Sequence, residues 1–253
     1  MSDVIRTRAL GDLVGDTFRI YVKDFFKLSG IVALANAIPA VLIFLWILTT
    51  IFSVFLHQMK PPLIPAGFEE EMPFPSGWWH WFIIILVVET LFAIFVYPLM
   101  NGSLIYAAVQ ANNNQPFRIL EAYRSAGRRY GRLVGANILY GLVITLLSIT
   151  IIGIPFALYF FVRWLFLPYL IIVEDTGIGD AFQRSTELVR GNWWRTFGIL
   201  SLLWFLYFGV TYAFELIPMI GLFAVLLGIA LPILTIGNLL LYYDLRARKA
   251  KEG

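Results

Sequence analysis

Cysteine is absent from the chain, which excludes disulfides and thiol catalysis and leaves the redox compartment open. Histidine is nearly absent: His57 and His80 stand alone, neither with a second ligand at metal-binding spacing. No serine or threonine nucleophile sits in a motif with a base, and no glycine-rich phosphate loop occurs. These gaps point away from an enzyme. A membrane-embedded hydrolase would need a nucleophile or metal cluster that is missing, and neither cofactor nor metal is expected. Charge is also scarce: Asp, Glu, Lys and Arg make up 14% of the residues, against about 25% in soluble domains. The first 27 residues are charged throughout and lack a small-residue cleavage site after a short apolar core, so they do not read as a cleavable signal peptide.

The chain is instead rich in apolar residues, 60% of 253. They are gathered into runs long enough to cross a bilayer, which takes about 20 residues. Six transmembrane helices are expected, over residues 28–56, 78–109, 133–152, 155–173, 196–217 and 220–243. The third and fourth meet at Gly153-Ile154-Pro155 and the fifth and sixth at Pro218-Met219-Ile220-Gly221. Turns this short force antiparallel neighbours. The first pair has a longer, proline-rich connection with the acidic run Glu69-Glu70-Glu71.

Lysine and arginine set the orientation. Seventeen lie in the N-terminal segment, the second and fourth connections and the tail, while the three opposite connections hold only Lys60. Both termini are therefore expected in the cytoplasm, with the protein multi-pass in the cell membrane. Trp78, Trp79 and Trp81 then fall at the outer interface, and Trp193, Trp194, Tyr242 and Tyr243 at the inner one. Positive-inside bias explains the basic residues better than nucleic-acid binding does.

A short amphipathic segment recurs three times, centred on Asp16-Thr17-Phe18-Arg19, Glu121-Ala122-Tyr123-Arg124 and Asp180-Ala181-Phe182-Gln183. Five positions match in character: Val14/Ile119/Ile178, Thr17/Ala122/Ala181, Phe18/Tyr123/Phe182, Tyr21/Ala126/Ser185 and Phe25/Tyr130/Val189. The spacing i, i+3, i+4, i+7, i+11 lines one face of an α-helix. Gly30, Gly135 and Gly198 then open the apolar stretches, 14, 14 and 18 residues past the acidic centres. The fold class expected is all-α: one integral membrane domain of three repeats (about 10–110, 115–174 and 176–246), each a cytoplasmic amphipathic helix followed by a transmembrane hairpin. The segments read as elbows or as helices packed on the bundle end. A dedicated lipid- or partner-binding role is the alternative, with Arg19, Arg124, Arg128, Arg184 and Arg195 as contacts for anionic headgroups at the cytoplasmic face.

Three charged residues fall within the spans, where charge is costly and faces a bundle interior or a cavity. Glu89 and Arg163 lie roughly 16 Å and 12 Å deep at 1.5 Å per residue, depths that permit an ion pair. Glu215 sits near an outer end, within reach of water or headgroups. Pro39, Pro98, Pro168 and Pro232 interrupt spans and are expected to kink them. With Asn36, Asn101 and Asn238 nearby, such breaks either mark a transporter's central site or are kinks satisfied by neighbours. Gly127, Gly131 and Gly135 form a small-xxx-small run suited to close helix packing.

The segments Asp180-Ala181-Phe182-Gln183-Arg184-Ser185, Leu188-Val189-Arg190-Gly191-Asn192-Trp193-Trp194-Arg195 with Gly198, and Tyr242-Tyr243-Asp244-Leu245-Arg246-Ala247-Arg248 resemble the membrane domain found with glycerophosphoryl diester phosphodiesterases in bacteria and archaea. In fused members of that family, a separate soluble domain with acidic and histidine metal ligands performs the hydrolysis. No such domain is present here, so the resemblance implies a membrane fold and not an activity. The expected role is non-enzymatic: a membrane scaffold or accessory subunit contacting lipid and a protein partner or a second copy. A transporter or lipid-handling protein using the Pro-kinked interior is the alternative.

Overall fold

The structure is a computed structural model that describes residues 7–59, 78–216 and 227–252. The described residues are helical, without strands. The order is α1 (Leu10–Lys23), α2 (Phe25–Met59), α3 (Trp78–Leu91), a π-helical stretch (Phe92–Val96), α4 (Tyr97–Asn112), α5 (Ile119–Gly127) and α6 (Tyr130–Ser148). Then follow α7 (Gly153–Arg163), α8 (Leu167–Val173), α9 (Ile178–Val189), α10 (Trp193–Glu215) and α11 (Leu231–Glu252). Five helical segments are long and apolar enough to cross a membrane: α2, α3 with α4, α6, α7 with α8, and α10. Their outward faces carry large apolar side chains, Phe205 of α10 at 74% exposure among them. Water would not tolerate so continuous a surface, whereas lipid matches it.

The sixth expected span, 220–243, is described only from residue 227. The proline-rich connection after the first span and the turn at 218–221 lie outside the described residues. Helix α11 is the centre of the bundle, buried almost without interruption from Pro232 to Leu245. Tyr242 and Tyr243 are therefore core residues, 1% and 5% exposed, rather than the interfacial aromatics expected. The Tyr242 ring packs against Phe166 and Tyr169 of the fourth span and against Tyr243.

The three amphipathic segments are the helices α1, α5 and α9. Matched positions share their environments: Thr17, Ala122 and Ala181 are each fully buried, as are Ala126 and Ser185, with Tyr21 close behind. Their apolar faces thus lie against protein and not in lipid. Each elbow rests on a membrane helix that precedes it in the repeat order: α5 on α4, α9 on α8, and α1 on α11. The opening glycines admit the next elbow. A Cβ at Gly30 would stand 3.0 Å from Ile119 and one at Gly135 would stand 2.8 Å from Ile178, whereas Gly198 meets nothing. Gly127 and Gly131 have open space around them, so the expected small-residue seam reduces to Gly135. Close packing falls elsewhere: at Gly102, wedged among Leu133, Ala126 and Ile172, and at Gly237 against Leu203.

A cation three residues before each opening glycine ties the elbows down. Lys27 lies over the Phe117 ring at 5.2 Å, just ahead of α5. Arg132 donates to the Asp175 carboxylate at 2.6 Å and to the Asp175 and Thr176 carbonyls, just ahead of α9. Arg195 donates to Asp244 at 3.1 Å and to the Arg8 carbonyl at 2.9 Å, just ahead of α1. The Arg8 amide and Arg248 also donate to Asp244, whose carboxylate is fully buried. The start of the chain is locked in this way to its last helix.

Candidate intramembrane cavity

Proline creates the interior of this bundle. Pro98 has no N–H to give, and the Tyr97 amide reaches back to Phe92, so the Ala93 carbonyl loses its backbone donor. The Asn137 side chain of α6 supplies one at 3.0 Å. Pro168 likewise cannot serve Trp164, which accepts from Leu167 in a tighter turn. Between α7 and α8 the Arg163 carbonyl and the Phe166 amide fall out of the ladder. Ser185 of α9 seals both, donating to Arg163 at 2.7 Å and accepting from Phe166 at 3.3 Å. Ahead of Pro232, Ile233 bonds to Ala230 and frees the Ile229 carbonyl. The Tyr21 and Ser29 hydroxyls donate there, and Asn36 donates to Leu227. Gly228 adopts φ +64°, and a Cβ there would meet Asn36 at 2.9 Å. Burial raises the Tyr21 and Tyr123 hydroxyls of the elbows to about 12, so both remain donors, Tyr123 to the Ile31 carbonyl.

The three breaks converge on a cavity of about 210 Å³, far more than a single water needs. Pro98, Pro168 and Leu231 line it, with Trp164, Tyr140, Leu200 and Trp204 supplying much of the remaining wall. Among the described residues no charged side chain lines it. Its polar groups are uncharged, with amides and hydroxyls of Asn101, Asn137, Tyr140, Tyr169, Thr235 and Asn238 among them. Asn137 is committed to Ala93, and the Tyr169 hydroxyl donates to the Thr235 carbonyl at 3.1 Å. Asn238 is different. It is 8% exposed, and its buried Oδ1 has no hydrogen-bond partner. A buried acceptor in this state costs about 1–3 kcal/mol, which something entering the cavity can return.

The residues singled out in the sequence separate into distinct settings. Pro98, Pro168 and Pro232 each stand in the first turn of a helical segment, after a break, where a missing N–H costs least. Pro39 lies inside the unbroken α2. Glu89 and Arg163 form no ion pair with each other; Arg163 instead donates to the Tyr159 hydroxyl at 2.7 Å and lies over its ring. Glu215 is exposed at the end of α10. Among the headgroup candidates, Arg19 pairs with Asp16, Arg184 with Glu174 at 2.9 Å, and Arg195 with Asp244. Arg124 and Arg128 remain on the surface. Among the described residues no group of three or more His, Asp or Glu side chains is placed to hold a metal ion.

Asn137, Ser185 and Asp244 went unmarked as site residues. Asn137 and Ser185 look like ordinary polar residues in a helix, and only the proline of a neighbouring helix gives them work. Ser185 and Asp244 do fall within the segments that carry the resemblance, and their hydrogen bonds tie elements of the fold together. Gly191, from the same segments, turns the chain between α9 and α10 at φ +82°, a conformation that favours glycine.

Residues 123–242, just under half of the chain, match the model of a domain of unknown function, DUF7847. That stretch runs from the second elbow to the buried Tyr242. No curated protein and no solved structure matches the chain.

Proposed function

We propose that the chain is a six-span membrane protein of three elbow-plus-hairpin units, with both termini cytoplasmic, that binds an uncharged, hydroxyl-bearing amphiphile in its interior and handles it without catalysis. The observation behind this reading is the uncharged cavity at the three proline breaks with the unpartnered Asn238 Oδ1. A charge entering such walls would go uncompensated, while an apolar chain bearing one hydroxyl meets apolar contacts and a waiting acceptor. The resemblance to phosphodiesterase-associated membrane domains is taken as bearing on fold alone.

The test uses purified full-length protein in detergent. A long-chain alcohol should raise its unfolding midpoint, by about 2.7 kcal/mol of stabilisation at a hundredfold excess over Kd. The methyl ether of that alcohol, lacking the donor, should not. Asn238→Leu should remove the response. Equal responses to alcohol and ether, or an unchanged response in Asn238→Leu, would defeat the proposal. Cysteine labelling at Arg128→Cys from the cytoplasmic side tests the orientation.

A scaffold or accessory-subunit role draws support from the apolar side chains left exposed at the elbow joints, Phe26 at 88%, Leu120 at 70% and Trp194 at 78%. That role predicts a stable protein partner on purification and no response to the alcohol.

A further inference from the structure

We infer that a second site, beside the third elbow, holds the phosphate of an anionic glycerophospholipid. It is a groove between the end of α7 and the exposed face of α9, formed around Arg163, Arg190, Gln183, Glu187 and Trp193. This inference rests on reading the chain as a membrane protein with α9 at headgroup depth, and does not depend on the cavity.

The charges in the groove do not balance. Arg163 has five N–H donors, of which the structure uses one, toward Tyr159. Five arginines form no ion pair among the described residues, Arg118, Arg124, Arg128, Arg163 and Arg190, and of these Arg163 and Arg190 share one groove. Glu187 is the one acid in the groove, and it accepts from Gln183 at 2.9 Å. Two guanidiniums and one carboxylate leave a single positive charge, which a phosphodiester monoanion would neutralise. The planar fork of a guanidinium suits two phosphate oxygens at once.

The surroundings fit a lipid rather than a soluble anion. The Trp193 indole donates to the Tyr159 carbonyl at 3.3 Å and its ring stacks on Tyr159 and Phe197, the amphipathic contact of a residue at headgroup level. Toward the apolar side, Phe156 and Leu158 of α7 are exposed and offer a surface for acyl chains.

Native mass spectrometry of the full-length protein, given phosphatidylglycerol or the diacylglycerol with the same chains, reads the site directly. Phosphatidylglycerol should be retained in preference to diacylglycerol. Arg163→Met and Arg190→Met should each weaken that retention roughly tenfold, the loss of one charge-assisted hydrogen bond. Arg128→Met, outside the groove, should leave it unchanged, as should Asn238→Leu. Arg190 is exposed, so its variant reports even if Arg163→Met fails to fold. Equal retention of both lipids, wild-type retention in Arg190→Met, or an equal loss in Arg128→Met would overturn the site. Displacement of the phospholipid by millimolar inorganic phosphate, with phosphate itself retained, would assign the groove to a soluble anion and overturn the lipid assignment.

Discussion

Ser185 shows how much one hydroxyl can hold. It occupies a helix face that looks merely small and polar, yet it closes the α7–α8 break on both sides. Ser185→Ala leaves a carbonyl and an amide unpaired where the side chain is fully buried. A loss of about 1–3 kcal/mol is expected, read as a lower unfolding midpoint in detergent. Ser103→Ala is the control, because that hydroxyl only doubles a bond to the Leu99 carbonyl four residues back in its own helix; its effect should be small. The breaks themselves were legible, since proline cannot donate. Their seals were not, because the donor comes from another helix and no local pattern ties it to the break it closes.

Among the elements, glycines divide by what surrounds them. At Gly102 a methyl would meet Leu133 at 2.7 Å and the Cβ of Ala126 at 3.2 Å. The alanine Cβ is fixed to its backbone and cannot yield. Gly102→Ala should therefore cost about 1–3 kcal/mol through overpacking, measured by thermal unfolding. Gly141→Ala, with nothing within 4 Å, should be neutral or stabilising, since alanine is the better helix former by roughly 1 kcal/mol. Composition treats these glycines alike; only the neighbouring helices tell them apart.

The joint ahead of α9 is electrostatic. Hydrogen bonds from Arg132 and Arg129 hold the Asp175 carboxyl below the usual carboxylate range. A carboxyl lowered in the folded state stabilises above its unfolded value, about pH 4, and that contribution disappears as pH falls through the lowered folded value. Asp175→Asn suits the φ of 57° at this position and removes the charge. The gap in unfolding midpoint between wild type and this variant should be steady above pH 5 and close on acidification below pH 4. A constant gap across that range would show that the charge contributes nothing.

At the scale of the whole molecule, Asp244 closes the circuit from the start of the chain to its last helix. Its carboxylate is fully buried and holds the Arg8 amide, Arg195 and Arg248. Asp244→Asn keeps the shape but leaves guanidiniums without their counter-charge. Removing one partner of a buried pair typically costs about 3–5 kcal/mol. The variant should unfold at a markedly lower temperature, and protease should reach α1 while α5 and α9 stay protected. Uniform loss of protection over all three elbows would instead mean that the lock holds the entire bundle.

The sequence by itself determined the membrane class, the positions of the five apolar helical segments, and the three amphipathic helices with their buried faces. Each follows from local periodicity and hydropathy, which a linear chain carries in full. The tertiary structure decided which face meets which partner. It put α1 on α11, made Tyr242 and Tyr243 core residues, separated Glu89 from Arg163, and gathered three proline breaks around one cavity. Those outcomes depend on contacts between residues far apart in the chain, and a helix buried on every side reads in sequence much like one facing lipid.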